Sequence, residues 1–313
     1  MKILDKLRKA ALALLIISGP LYSIGQQDPM YTQYIFNLQT INPAYAGSWQ
    51  TMGFLALTRL QWVGFTGHPS TQTFSFQTPL MTQNVGIGFD VVADQLGSER
   101  RLMFNLDYSY RVMINDNTSL RFGLKGGFTS YTNDLSILNP YPDGVSDQVL
   151  SGVSDNKLMP NVGFGLFLSS PKYYLSCSLP RLIQNNFQEN TGNFNKMTEA
   201  RQFYFAGGMV FNLSDNIKFK PTFMTKTIVG TPFQYDISAN FLLAEKFWIG
   251  GMYRSGDAFG AIAQWIINNK FRIGYAADFT LSELKHYHQG IHEVMISYEI
   301  EFIKRRYVSP RYF

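Results

Sequence analysis

Residues 217–302 repeat one pattern of apolar and polar positions. Phe219, Pro221, Phe223 and Thr225 alternate with Lys218, Lys220, Thr222 and Met224. Phe233, Tyr235, Ile237, Ala239 and Phe241 alternate with Gln234, Asp236, Ser238 and Asn240, and Phe271, Ile273, Tyr275, Ala277 and Phe279 with Arg272, Gly274, Ala276 and Asp278. In the last run Val294, Ile296, Tyr298, Ile300 and Phe302 oppose Glu293, Met295, Ser297, Glu299 and Glu301. Successive side chains of a strand point to opposite faces, so each run has one face rich in Phe and Tyr and one that carries charge. The stretch reads as six strands of about ten residues, the length that crosses a bilayer as a tilted strand.

The pattern extends back to Met52. Strands are predicted over 52–62, 71–80, 85–93, 101–113, 120–131, 161–169, 173–179 and 202–213, which brings the total to fourteen. Connections after strands 2, 4, 6, 8, 10 and 12 read as tight, and those after 3, 5, 7 and 13 as long and polar, the longest being 133–160 and 181–200. Short turns on one rim and long loops on the other are the habit of an up-and-down membrane barrel. The expected fold is therefore an all-β, transmembrane, antiparallel β-barrel of about 14 strands over 51–302. An irregular segment, 26–50, precedes it and a tail, 303–313, follows; an even strand number puts both termini in the periplasm. A soluble all-β protein shares the period of two. Strand length, loop parity and the features below favour the barrel.

Composition narrows the class further. Aromatic residues make up 15% of the 313 and charged residues 16%, and no run of 18 apolar residues suggests a membrane helix. Residues 1–25 read as a signal peptide: Lys2, Lys6, Arg8 and Lys9 form a basic start, 10–17 an apolar core, and Ser23-Ile24-Gly25 a small-residue cut site. Four of the 27 Lys+Arg and one of the 22 Asp+Glu lie there, leaving 23 against 21 and a mature net charge of +2. That balance argues against a nucleic-acid partner. Cys177 is the single cysteine, so no internal disulfide forms, and its position beside Leu175 and Leu179 places it on the apolar face.

Several blocks stand out: Asp28-Pro29-Met30-Tyr31-Thr32-Gln33-Tyr34 with Asn42-Pro43-Ala44-Tyr45-Ala46-Gly47; Arg59-Leu60-Gln61-Trp62-Val63-Gly64 with Gly67-His68-Pro69-Ser70-Thr71; Tyr253-Arg254-Ser255-Gly256-Asp257-Ala258; Gly274-Tyr275; and Gly290-Ile291-His292-Glu293-Val294-Met295. As a set they resemble the PorP/SprF family of the Bacteroidetes type IX secretion system. Together they span almost the whole mature chain, and residues 133–200 match least. The resemblance implies an outer-membrane barrel that binds and anchors, or helps export, a surface protein such as a gliding adhesin through that protein's type B C-terminal domain. Its implied partners are that cargo, periplasmic components of the secretion system and outer-membrane lipid. It marks Asn42, Pro43, Arg59, Gln61, Trp62, Gly64, Arg254, Ser255, Gly256, Asp257, His292 and Glu293 as partner-binding or motif positions. The alternative function is a porin-like diffusion channel. An open lumen would favour the channel, and a lumen filled by 26–50 or by the 133–160 loop would oppose it.

The remaining chemistry is sparse. The charged positions of the strands, among them Arg59, Arg101, Asp107, Arg121, Lys125, Lys220, Asp236, Arg254, Arg272, Asp278, Glu293 and Glu299, point into the barrel, paired with one another or lining a passage or plug site. Glu299 and Glu301 are expected near Arg272 or Arg59. His286, His288 and His292 lack a second set of ligands, so no metal is expected. Gly86-Ile87-Gly88 and Gly163-Phe164-Gly165 lie inside strands with no following helix and suggest close packing or a bend, not a nucleotide loop. His68 and Asp94 have no local partner for a catalytic triad. No enzyme activity and no cofactor are expected. Phe313 is terminal, but Pro310 makes it an imperfect barrel-insertion signal, and the basic tail from Lys304 suits a periplasmic partner.

Overall fold

A computed structural model of the protein describes residues 29–80, 84–134, 154–185, 199–229, 231–268, 270–286, 289–300 and 312, with backbone alone at 154–156, 284 and 286. The expected signal segment, the tail other than Tyr312, Glu301, Phe302, His288 and the middles of the two longest loops lie outside the described residues.

The strands are β1 (Met52–Leu60), β2 (Ser70–Pro79), β3 (Val85–Leu96), β4 (Glu99–Asn115), β5 (Thr118–Asp134), β6 (Ser154–Ser169), β7 (Tyr173–Leu179), β8 (Gln202–Met209), β9 (Phe211–Ser214), β10 (Ile217–Ile228), β11 (Gln234–Leu243), β12 (Phe247–Arg254), β13 (Ala258–Ile266), β14 (Phe271–Thr280) and β15 (Ile291–Ile300). Apart from β8 and β9, each pairs antiparallel with its sequence neighbours. β8 and β9 both pair with β10, on either side of Val210, and are two halves of one stave. β1 pairs with β15 from Met52↔Ile300 to Leu60↔His292 and shuts the ring, giving a closed barrel of fourteen staves. Closure gives every stave a partner on both sides.

Strand bounds move by a few residues from those expected, with two consequences. The polar loop expected over 94–99 is a two-residue turn, Gly97-Ser98, because β3 and β4 stay paired out to Leu96↔Glu99; Asp94 therefore lies in a strand. The segment 154–160, expected in the 133–160 loop, is the start of β6, which pairs with β5 as far as Asp134↔Ser154. The rim parity survives both changes. The connections 61–69, 135–153, 180–201 and 281–290 share one rim, and the other carries only short turns.

Alternation assigns the faces. On β4, Leu102, Phe104, Leu106, Tyr108 and Tyr110 point outward and are exposed, while Arg101, Asp107 and Ser109 are buried inside. On β2, Phe74 points outward, and Thr73, Ser75 and Gln77 point in. Cys177 is exposed on the outer face. An apolar exterior around a polar interior inverts the soluble arrangement and suits a lipid surround.

The interior is filled. Residues 30–39 and 42–47 are buried within the ring, folded into short 3-10 turns at Tyr34–Phe36, Leu38–Thr40 and Pro43–Tyr45. Asn42 caps the last turn, its Oδ1 accepting from Ala44 N at 2.9 Å. Tyr34, Ile35, Leu38, Tyr45 and Trp49 pack with Phe167, Tyr174, Trp248, Met252 and Met295, so the hydrophobic core lies in the lumen. The strand glycines make room for it. A Cβ at Gly86, Gly88, Gly123 or Gly165 would overlap Ala46, Gln39, Ala44 or Asn42 respectively. At the short-turn rim Tyr312 returns to the lumen mouth, where Lys218 Nζ donates to its hydroxyl and Lys220 Nζ to its carbonyl. That one described residue of the tail does not hang free.

Candidate functional site

The filled lumen has an open mouth on the long-loop rim. Its floor is a clamp built on Arg59, near the end of β1. Arg59 Nη2 lies 2.9 Å from Asp278 Oδ2, and Nη1 donates to Glu293 Oε2 at 3.0 Å and to Thr32 Oγ1 at 2.9 Å. Glu293 in turn accepts from the backbone N–H of Thr32 and Gln33 at 3.0 and 2.8 Å, and Thr32 Oγ1 donates to Asp278 Oδ2 at 2.6 Å. One guanidinium and two carboxylates thus hold the amino-terminal segment. A buried ion pair persists only where further hydrogen bonds satisfy it, and the segment supplies them.

Beside it, Arg254 at the end of β12 makes a forked pair with Asp236, with Nε at 3.1 Å and Nη2 at 3.0 Å from its carboxylate, and Nη2 also donates to Tyr31 O at 3.2 Å. Arg254 Nη1 stands 3.7 Å from the half-exposed Asp257. Ser255-Gly256-Asp257 forms the following turn, with Gly256 at φ +68° and the backbone N–H of Tyr235 donating to Ser255 Oγ at 3.0 Å. Deeper in the barrel a second cluster joins Lys125 Nζ to Asp90 at 2.6 Å and to Asp107 at 3.1 Å, and Gln39 Nε2 donates to Asp107 Oδ2 at 3.1 Å.

Above the clamp is a basin of about 490 Å³, bounded by Pro29, Arg59, Trp62, Glu99, Arg254 and Asp257. Trp62 holds φ +52°, a strained backbone for a residue with a Cβ. Its loop is fixed by hydrogen bonds from Val63 N to Gly290 O at 3.1 Å and from Gln289 N to Val63 O at 2.8 Å, which join the 61–69 loop to the 281–290 loop. Strain of this kind lasts only where the surroundings over-determine it.

Seven of the twelve motif positions meet at this basin: Arg59, Gln61, Trp62, Arg254, Ser255, Gly256 and Asp257. Glu293 lies directly below, in the clamp. The others separate. His292 faces outward, its Nδ1 2.7 Å from Tyr275 Oη, because neighbours along a strand point to opposite sides. Gly64 sits in the rim loop at φ +95°. Asn42 and Pro43 lie far down the lumen, where Asn42 Nδ2 donates to Ser176 Oγ at 2.7 Å and to Leu166 O at 2.9 Å. The expected pair Glu299–Arg272 forms at 2.9 Å, whereas Arg59 pairs with Glu293 and Asp278 instead of Glu299. Sequence reading missed Asp94, Glu99 and Arg101 as basin residues and Tyr31, Thr32 and Gln33 as clamp partners. The signal for the last three was present: a run of Tyr, Thr, Gln and Asn that suits a polar lumen better than solvent.

A family model described as type IX secretion system membrane protein PorP/SprF matches residues 23–298. No curated protein matches the chain. Among solved structures it is similar to the CymD monoaromatic hydrocarbon channel, at 11% identity over 90% of this chain and 96% of that one, with a TM-score of 0.50. It is also similar to the outer membrane protein Omp33 of Acinetobacter baumannii (9% identity, 80% and 99% coverage, TM-score 0.46) and to a Pseudomonas aeruginosa FadL homologue (11%, 88% and 95%, 0.46). At these identities the likeness is one of barrel fold alone.

Proposed function

Because the chain belongs to the PorP/SprF family of type IX secretion system membrane proteins, we propose that this outer-membrane barrel anchors, or helps export, a secreted surface protein by binding that protein's C-terminal domain at the long-loop mouth. In this reading the long loops face outward, the short turns face the periplasm, and residues 1–25 serve as the export signal. Periplasmic components of the secretion system would meet the short-turn rim. The role is one of binding, with no catalytic step.

One observation supports this reading most: the basin gathers seven motif positions from separate blocks of the chain over a floor that is already closed. A rigid, shaped surface with a strained aromatic at its edge suits recognition of a macromolecule. The competing reading is a diffusion channel, the description carried by CymD. The lumen opposes it, since a buried, hydrogen-bonded segment occupies the path a solute would take.

The test is a mild-detergent pull-down of the tagged barrel from its native envelope, read by mass spectrometry, paired with bilayer conductance of the pure barrel. Recovery of a large surface protein together with a silent bilayer is expected. Recovery of the barrel alone, with steady conductance, would replace the anchor by the channel.

A further inference from the structure

β2 serves as a ruler for the lumen, running from Ser70 at the long-loop rim to Pro79 at the short-turn rim. The amino-terminal segment descends it in order. Tyr31 Oη meets Thr73 Oγ1 at 2.6 Å, Asn37 Nδ2 donates to Ser75 Oγ at 3.3 Å, and Gln39 Nε2 donates to Phe76 O at 2.9 Å. Gly47 then packs on the backbone of Pro79, where an added Cβ would stand 3.4 Å from the proline Cα. The opposite wall gives the same order. Thr32 is bonded to Asp278, near the end of β14 at the long-loop rim, and Thr51 Oγ1 donates to Glu299 at 3.1 Å, near the end of β15 at the short-turn rim. The segment therefore makes one pass in one direction. Its downstream end joins β1 at the short-turn rim, and its upstream end, Pro29, lines the basin at the other.

An even number of staves brings the start of β1 and the end of β15 to one rim, and the simplest expectation places both chain ends there. The threaded segment instead has Pro29 at the other rim. At the short-turn end the described segment is closely packed: a cavity between Trp49 and Tyr312 is about 20 Å³, room for about one water. We infer that the chain enters the lumen from the long-loop mouth, with Pro29 presented there on the face opposite the end of β15, and that Pro29 forms part of the surface that a partner in the basin touches. The direction of threading does not depend on the docking reading; the contact with a partner rests on it.

Single cysteines test the inference in a Cys177→Ala background: Pro29→Cys, Thr66→Cys in the 61–69 loop and Lys172→Cys in a short turn. Intact cells are treated with a membrane-impermeant maleimide. Pro29→Cys and Thr66→Cys are expected to react alike and oppositely to Lys172→Cys. A protease site inserted between Asp28 and Pro29 removes any dependence on the reactivity of residue 29; added protease should cut it together with one placed in the 61–69 loop. Pro29→Cys reacting only with Lys172→Cys, with its inserted site cut only when the short-turn site is cut, overturns the inference. Reaction of Lys172→Cys alone on intact cells, with the other two reacting together after lysis, upholds it and refutes only the outward orientation of the loops.

Discussion

Arg59 and Glu293 stand directly opposite one another across the seam that closes the barrel, with guanidinium and carboxylate 3.0 Å apart and both residues 1% exposed. The same carboxylate accepts the backbone N–H of Thr32 and Gln33, so closure of the ring and retention of the lumen segment share one bond network. Removing one partner of such a buried pair strands the other, at a cost of about 3–5 kcal/mol. Arg59→Ala leaves both Glu293 and Asp278 uncompensated. It should lower the temperature at which the folded barrel loses its fast gel mobility, and should expose the amino-terminal segment to protease at temperatures where the parent resists.

The glycine track gives a paired test of the filled lumen. A side chain at Gly123 meets the backbone of Ala44 and Pro43, which cannot yield without moving the segment, whereas one at Gly126 meets nothing within 4 Å. Gly123→Leu should displace the segment and raise ion conductance in planar bilayers. Gly126→Leu should remain silent and melt like the parent. Conductance from both variants, or from neither, would argue against residues 29–49 as the element that closes the path.

Replacing 29–49 by a short Gly/Ser linker to β1 isolates the same element without a steric argument. The staves stay paired through their own ladders, but the lumen loses nine of the 22 buried residues of its apolar core. The expected outcome is a barrel of reduced thermal stability with a stable open conductance, measured by gel mobility and single-channel recording.

Ion pairs at two depths should differ in weight. Lys125 is buried between Asp90 and Asp107, while Lys218 pairs with Glu245, whose side chain is 55% exposed. Lys125→Met places two carboxylates together without a counter-charge and should destabilise by several kcal/mol. Loss of the Lys218–Glu245 pair alone should cost about 0–1 kcal/mol. Since Lys218 also bonds Tyr312, Glu245→Ala is the cleaner comparison. Unfolding temperature in matched detergent separates the two.

Basin variants should separate binding from folding. Asp257 is half exposed, and among the described residues its only ion pair is the loose one to Arg254 at 3.7 Å. Asp257→Lys should leave the melting temperature near that of the parent and reduce partner recovery in the pull-down. Trp62→Ala should act in the same direction. Unchanged recovery from the double variant would move the docking surface away from the basin.

The staves were legible from period two alone, since an apolar exterior and a polar interior make nearly every position informative; β10 to β15 match the six runs read from 217–302. Loop parity was legible too, although β3 and β4 pair further than Asp94 and Glu99 suggest, because polar residues near a rim suit a strand as well as a loop. The motif blocks were visible as blocks, yet nothing in their order placed Arg59 beside Arg254, nearly two hundred positions away. Ring closure does that, by pairing β1 with β15 and bringing their neighbours around the same mouth.

What the sequence by itself determined is the membrane-facing surface, the stave number and the inward direction of the charges, because each depends on local alternation along a strand. Tertiary structure alone decided the contents of the lumen. Residues 29–51 have no period to read: their polar side chains and backbone N–H groups find partners on staves from nearly every part of the ring, Thr73, Asp107, Ser176, Thr222, Asp278 and Glu293 among them. Such a segment takes its conformation from a surface that exists only once the barrel has closed, so its path and the side on which it ends are properties of the assembled ring.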